Sequence, residues 1–328
     1  MAVARRSGHI ENTDIQQHST NAGLAKVSHS QLSCGSFRSQ TDYIKLPGMT
    51  FYHQVWNQRV SARGESPEDS IFLCVTSHGM PSVSWCETEI DDRRFIWEPP
   101  RCEIDFVSDV GTDHVVLILN KALLREVFDA ETVSRLLRSR HCLASTIHNK
   151  QQFTNTVQKL IKRYSGREES LGDAVTRKAI NLEIFDLLDD MLTGTHGQNG
   201  YFADTKRAKA LSRALQLIES AEESISVGQL ARGVGACQRT LEYAFRDRFG
   251  ITPVRYLRWS RLNALHRDLC IADPRYESVG QAALRHGFTE LGRMAGEYRH
   301  LFGRLPSESL VSNPPGTTPP LHEVLRAM

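Results

Sequence analysis

No apolar run in this 328-residue chain approaches the roughly 18–20 residues needed to cross a bilayer, so no membrane-spanning helix is expected. The first stretch, Met1 to Thr20, is polar and lacks the apolar core of a secretory signal. Seven cysteines are scattered along the chain (Cys34, Cys74, Cys86, Cys102, Cys142, Cys237, Cys270), and no C-x-x-C pair occurs. That spacing gives neither a zinc site nor a disulfide framework, and reduced thiols in a cytoplasm are the expectation. A phosphate-cradling glycine loop is absent. The strand-rich part holds His53, His78 and His114 but no H-x-H pair, so no metal and no cofactor are expected. Ser77-His78-Gly79 and Asp91-Asp92 do not sit on a strained strand–helix elbow, and Asp91-Asp92-Arg93 reads better as a hairpin turn. Nothing in these patterns points to an enzyme.

Charge is present but unevenly spread. The formal net charge is only +2. Between Thr205 and Leu310, however, 17 Lys and Arg stand against 11 Asp and Glu, while the rest of the chain holds 23 against 27. Fifteen of those 17 are arginine, the side chain suited to bidentate phosphate and guanine contacts. A basic face can also be merely solvated surface, so the charge needs a motif beside it.

The length allows two ordinary domains. Residues 1–30 read as a disordered lead-in. Residues 31–193 begin with strand texture: Met49 to Val55, Ile71 to Val75, Arg93 to Trp97, Ile104 to Val107 and His114 to Leu119 are short apolar or alternating runs between Gly, Pro, Asp and Ser breaks. Such spacing favours a small antiparallel, barrel-like (cupin-like) domain or a sandwich. Two helical stripes follow, Phe153, Val157, Leu160, Ile161, Tyr164 and Ile180, Ile184, Leu187, Leu188, Met191. They could cover the β-domain or pair with a second subunit. Residues 194–204 read as a linker, 205–310 as wholly helical, and 311–328 as a Pro-rich tail. The fold class expected is α+β with two domains.

Within the helical segment one pattern is written twice. Phe245-Arg246-x-x-Phe249-Gly250-x-x-Pro253 returns as Tyr298-Arg299-x-x-Phe302-Gly303-x-x-Pro306. Upstream of each copy a small residue precedes a glycine by four positions, Ala231 to Gly235 and Ala283 to Gly287. Each block reads as two short helices meeting at a tight corner. Ser226 can cap the first helix, Ala231 must be small where the next helix crosses, and Gly235 suits a corner of positive φ. Leu241 and Phe245 then face inward, which leaves Arg239, Glu242, Tyr243 and Arg246 on the face that a helix-turn-helix lays in a major groove. In the second block Met294 and Tyr298 are buried by the same spacing, and Thr289, Arg293 and Arg299 remain outside. Pro253 to about Cys270 forms a rod of roughly 27 Å, comparable with the roughly 34 Å between successive major-groove faces. Double-stranded DNA is the expected partner.

These residues resemble the DNA-binding half of the AraC/XylS transcription regulators. Leu230-Ala231, Arg239-Thr240-Leu241, Phe245-Arg246, Phe249-Gly250-x-x-Pro253-x-x-Tyr256-Leu257 and Arg261-Leu262 match the first unit of that family. Gly287-Phe288, Gly292-Arg293, Tyr298-Arg299, Phe302-Gly303 and Pro306-Ser307 match the second. The likeness covers about 105 residues. Two departures are visible: Cys237 stands where serine is usual as N-cap, and Met294 replaces a phenylalanine. Phe37 and the β-rich run ending in Leu117-Ile118-Leu119 are similar, more loosely, to the effector-sensing halves of the family.

The resemblance implies that Arg239, Glu242, Tyr243 and Arg293 lie over bases, and that Arg246, Thr289 and Arg299 meet phosphates. Arginine can bridge guanine O6 and N7, and glutamate can accept from cytosine N4. It further implies an activator that contacts RNA polymerase, with a small-molecule effector and a homodimer as possible partners. The strand aromatics Phe51, Tyr52, Trp56, Phe72, Trp85, Phe95 and Trp97 could line an effector pocket or form an ordinary β-core. Two other readings stay open: a cupin-type metalloenzyme with a DNA-localising appendage, and a constitutive DNA-binding protein without effector.

Overall fold

Alternation with period two sorts the strand residues onto opposite faces. In the strand Thr112–Asn120, Val115, Leu117 and Leu119 join one core while Val116 and Ile118 join another. The computed structural model describes residues 5–21, 27–80, 83–86, 88–138, 141–193, 206–220 and 225–311. Its strands are β1 Ser7–Asn12, β2 Val27–Gln31, β3 Ser39–Leu46, β4 Met49–Trp56, β5 Val60–Glu65, β6 Ser70–Thr76, β7 Val83–Trp85, β8 Thr88–Ile90, β9 Arg94–Glu98, β10 Glu103–Val107, β11 Thr112–Asn120 and β12 His141–Ala144. They form two antiparallel sheets, ordered β1-β3-β4-β11-β6-β9-β12 and β2-β5-β10-β7-β8. The two longest pairings both lie on β4, with β11 from Thr112 opposite Trp56 to Leu119 opposite Met49 and with β3 from Ser39 opposite Trp56 to Leu46 opposite Met49.

The expected barrel-like closure is corrected: both sheets are open. They face each other through rings such as Phe72 stacked on Trp85 and Trp56 edge-on to Phe106. A short run of apolar residues gives the faces of a strand but not whether the last strand returns to the first. The turn at Asp91 is corrected too. Its side chain accepts from the Arg93 amide at 2.9 Å, yet it links β8 in one sheet to β9 in the other, so it is a crossover and not a hairpin.

Helices cover the outer face of the larger sheet. After α1 Ile15–Asn21 come α2 Lys121–Val127, α3 Ala130–Arg138, α4 Ile147–Tyr164, α5 Glu168–Gly172 and α6 Ala174–Thr193. Side chains of Asn120 and Thr146 cap α2 and α4. The stripes of α4 and α6 pack with Phe51, Phe95 and Trp97 in one core, so their apolar faces are used within the chain. Tyr52, Trp56, Phe72 and Trp85 belong to the other core, between the sheets. The strand aromatics therefore fill two cores rather than surround one cavity.

The lead-in expected over 1–30 is also corrected. β1 pairs with β3 from Ser7 opposite Ile44 to Asn12 opposite Ser39, α1 follows, and β2 pairs with β5. An edge strand needs few apolar residues because one side remains solvated, so its polar sequence gave no strand signal. The segment expected as a linker, 194–204, and all of the Pro-rich tail but Val311 lie outside the described residues.

The C-terminal helices are α7 Lys206–Ser220, α8 Val227–Val234, α9 Gln238–Phe249, α10 Pro253–Ile271, α11 Val279–Arg285, α12 Leu291–Phe302 and α13 Pro306–Val311.

Candidate nucleic-acid interface

Each helix pair is built by the same local chemistry. Ser226 and Gln229 form a capping box at the start of α8, and Ser278 and Gln281 form another at the start of α11. Gly235 and Gly287 take the corners at φ +67° and +72°, the left-handed region where a side chain is strained. Ala231 and Ala283 are buried beneath the crossing helices. Leu241, Phe245, Met294 and Tyr298 fill the centres with no more than 1% exposure, so the methionine at this position packs fully into the core. Cys237 makes no cap to the backbone of α9; its Sγ lies 3.1 Å from the Thr240 hydroxyl instead.

Helix α10 joins the units. Thr252 caps it and Pro253 occupies its first turn, where the missing N–H costs nothing. Its inward face, including Leu262, Leu265 and Leu269, is fully buried, which ties both units to one rod.

All seven side chains expected to meet DNA are exposed: Arg239, Glu242, Tyr243 and Arg246 on α9, Thr289 before α12, and Arg293 and Arg299 on it. Arg239 is braced by Tyr243, whose hydroxyl accepts from Nη2 at 3.1 Å and whose ring the guanidinium overlies. Arg207 of α7 stacks on the same ring and pairs with Asp247 at 2.6 Å. Sequence reasoning missed Arg207, because no motif links positions so far apart. Arg293 pairs with Glu297 at 3.2 Å and with Glu290 at 3.6 Å. Gly296, inside α12, is not required by close packing, since a Cβ there would meet nothing within 4 Å.

The N-terminal half grips the C-terminal ends of α9 and α12. Arg59 donates to the Phe249 carbonyl at 2.9 Å, and Arg248 donates to the Asp105 carbonyl at 2.9 Å. At the second unit, the Gln31 side chain and the Gly35 amide both donate to the Leu301 carbonyl, at 2.7 and 3.1 Å. Asn263 of α10 bonds both backbone groups of Gln31, extending the edge of β2 as another strand would. A Cβ on Gly250 would collide with Arg59, and one on Gly303 with Ser36.

Beneath the second unit, buried His266 lies 3.0 Å from Asp14 Oδ2 on one side and 2.5 Å from the Tyr298 hydroxyl on the other. The Tyr298 hydroxyl also donates to Ser309 at 2.8 Å. Burial works to raise the Asp14 pKa, but the hydrogen bond and charge of His266, with Arg304 beside it, hold it below the usual carboxylate range. Asp14, His266 and Cys270 form the one candidate metal-ligand set among the described residues. Both ring nitrogens of His266 already have partners and Arg304 stands 3.5 Å from Asp14, so the group is satisfied as a hydrogen-bonded latch.

The histidines considered for a metal cage do not converge. His53 pairs with Asp113 and His78 with Asp92, while His114 is buried between the sheets beside Trp56. The unforeseen neighbours His18 and His29 are buried there too. Burial lowers all three, His29 to about 4 and His114 to about 3.

A family model described as "Helix-turn-helix domain" matches residues 230–310. Over 94 residues the chain is 43% identical to the "Probable thc operon regulatory protein" of Rhodococcus erythropolis, covering 29% of this chain and 28% of that one. It is 38% identical over 99 residues to "XylDLEGF operon transcriptional activator 2" of Pseudomonas putida, covering 30% of this chain and 63% of that one. The matched part thus spans less than two thirds of either relative. Among solved structures, the chain is similar to an AraC-type regulator of Chromobacterium violaceum, with 30% identity over 33% of this chain and 95% of that one at a TM-score of 0.30.

Proposed function

We propose, on the premise that the C-terminal third of this chain is a DNA-binding domain of the AraC/XylS family, that the protein is a sequence-specific transcription regulator. The observation that carries this reading is the pair of corner-matched helix units fixed to one rod, with every expected contact residue turned outward. Arg239, Glu242, Tyr243 and Arg293 read base edges, while Arg246, Thr289 and Arg299 hold phosphates. The β-rich half senses a small molecule, dimerises, or does both. The sign is activation, through contact with RNA polymerase beside the promoter, and the protein acts in the cytoplasm without catalysing a reaction.

The test is selection of binding sites from random duplexes, followed by affinity measurement across salt concentrations. A selected consensus and a steep fall of affinity with salt support the proposal. Affinity for consensus and random duplexes that is equal at every salt concentration overturns it.

A further inference from the structure

We propose that Arg258 of α10 and Glu297 of α12 are positioning residues for Arg293, so that the base preference of the second unit is set from the rod as well as from its own helix. The proposal rests on the reading above that Arg293 meets a base edge. Glu297 stands one turn after Arg293 on α12 and divides its two oxygens between two guanidinium groups. Its Oε2 accepts from Arg258 Nε at 2.5 Å, and its Oε1 accepts from Arg293 Nε at 3.2 Å. Arg258 is held on a second side too, with its guanidinium carbon 4.6 Å from the centre of the Phe288 ring. That ring is buried, directly after the corner glycine Gly287. Arg258 thus joins three parts of the second unit: the rod, the corner and the reading helix.

The anchor decides how well Arg293 is ordered. An arginine followed four residues later by a glutamate is a weak pair by itself, because that order opposes the helix dipole and exposed ion pairs contribute little. Of the two carboxylates beside Arg293, Glu290 is 71% exposed and 3.6 Å away, whereas Glu297 is 31% exposed and fixed by Arg258. The order of the arginine therefore comes from the rod. A long side chain held before binding loses less rotamer freedom on reaching its base. Its planar fork also approaches along one direction, which favours the paired acceptors of guanine over bases that offer a single acceptor. The carboxylate has an opposite effect on affinity. Placed beside a DNA-facing arginine, its charge works against phosphate in every sequence, while its bond to Arg293 raises the difference between sequences.

The experiment uses the full chain on its selected operator, on operators substituted at each base pair, and on random duplex, all at one salt concentration. Arg293→Ala first identifies the base pair that Arg293 reads. At that pair, Arg258→Gln and Glu297→Gln are each expected to reduce discrimination by roughly threefold or more. At the pair read by Arg239, discrimination should stay as it was. Affinity for random duplex should not fall in Glu297→Gln, which removes a negative charge from the DNA-facing side. In an Arg293→Ala background neither substitution should lower discrimination at that pair any further, which is the mark of action through Arg293. Should Arg258→Gln not fold, the isosteric Glu297→Gln carries the same test.

Undiminished discrimination in Glu297→Gln, or in a folded Arg258→Gln, overturns the proposal. A loss that persists in the Arg293→Ala background overturns it as well, and so does one that falls equally on all sequences, since either marks a role in holding the fold. In each of those cases Arg293→Ala still relaxes its base pair, and only the brace fails. If Arg293→Ala relaxes no base pair, the assignment of Arg293 to a base fails and the brace falls with it.

Discussion

The two helix-turn-helix units share a scaffold and differ in what surrounds it. Both have a Ser-x-x-Gln capping box, an alanine under the crossing helix and a glycine corner. Under the first lies an aromatic cluster, with Phe245, Phe249 and Tyr256 packed together. Under the second lies a polar chain from Asp14 through His266 and Tyr298 to Ser309. On the outer face, Arg239 of the first unit is braced by a tyrosine, whereas Arg293 of the second is held by two glutamates. A repeated scaffold thus fixes helix geometry twice, while the neighbours decide how each unit is anchored and what it presents.

The largest expected effect tests the anchoring. Phe245→Ala and Tyr298→Ala should each cost about 3–5 kcal/mol of stability by denaturant unfolding. Only at the second unit should removal of a hydroxyl alone, Tyr298→Phe, also be felt, at about 1–3 kcal/mol, because His266 and Ser309 lose a partner. A silent Tyr298→Phe would erase the contrast.

Next comes Asp14→Asn, expected to cost about 1.5–3 kcal/mol near neutral pH through the loss of hydrogen bonds to a charged group. The folded pKa of Asp14 is lowered, so its contribution is complete above the ordinary carboxylate value of about 4. It is lost as the pH falls through the lowered folded value. The stability gap between wild type and Asp14→Asn should therefore close in acid; a gap that widens there would contradict the latch.

On the DNA side, Arg239→Ala and Arg293→Ala should each relax base preference at one operator position by about 1–3 kcal/mol, at sites belonging to different halves of the operator. Arg246→Ala should weaken operator and random duplex alike, with a shallower salt slope. Equal losses on both duplexes for all three variants would remove the division into base and phosphate contacts. The smallest effect is Gly296→Ala, a gain of about 1 kcal/mol in stability, since the helix propensity improves and the space is open.

The C-terminal units were legible because their signals are local. Capping serine, small residue, corner glycine and inward aromatics all fall within one block, and the second copy confirms the spacing. The N-terminal half was legible only in strands that alternate or run apolar, such as Ile71 to Val75 in β6. Polar β1 and β2 gave no pattern, since an edge strand is defined by the pairing it makes. The stripes of α4 and α6 were visible, but periodicity names a face and not what covers it. Contacts between the halves, Asn263 with Gln31 or His266 with Asp14, join positions more than 200 residues apart, and no local rule reaches across that distance.

Hydroxyl-radical footprinting of the full chain on its selected operator tests the central claim most directly. The account predicts two protected patches on one face of the duplex, about one helical turn of 10–10.5 base pairs apart. A single protected patch at every protein concentration would contradict it.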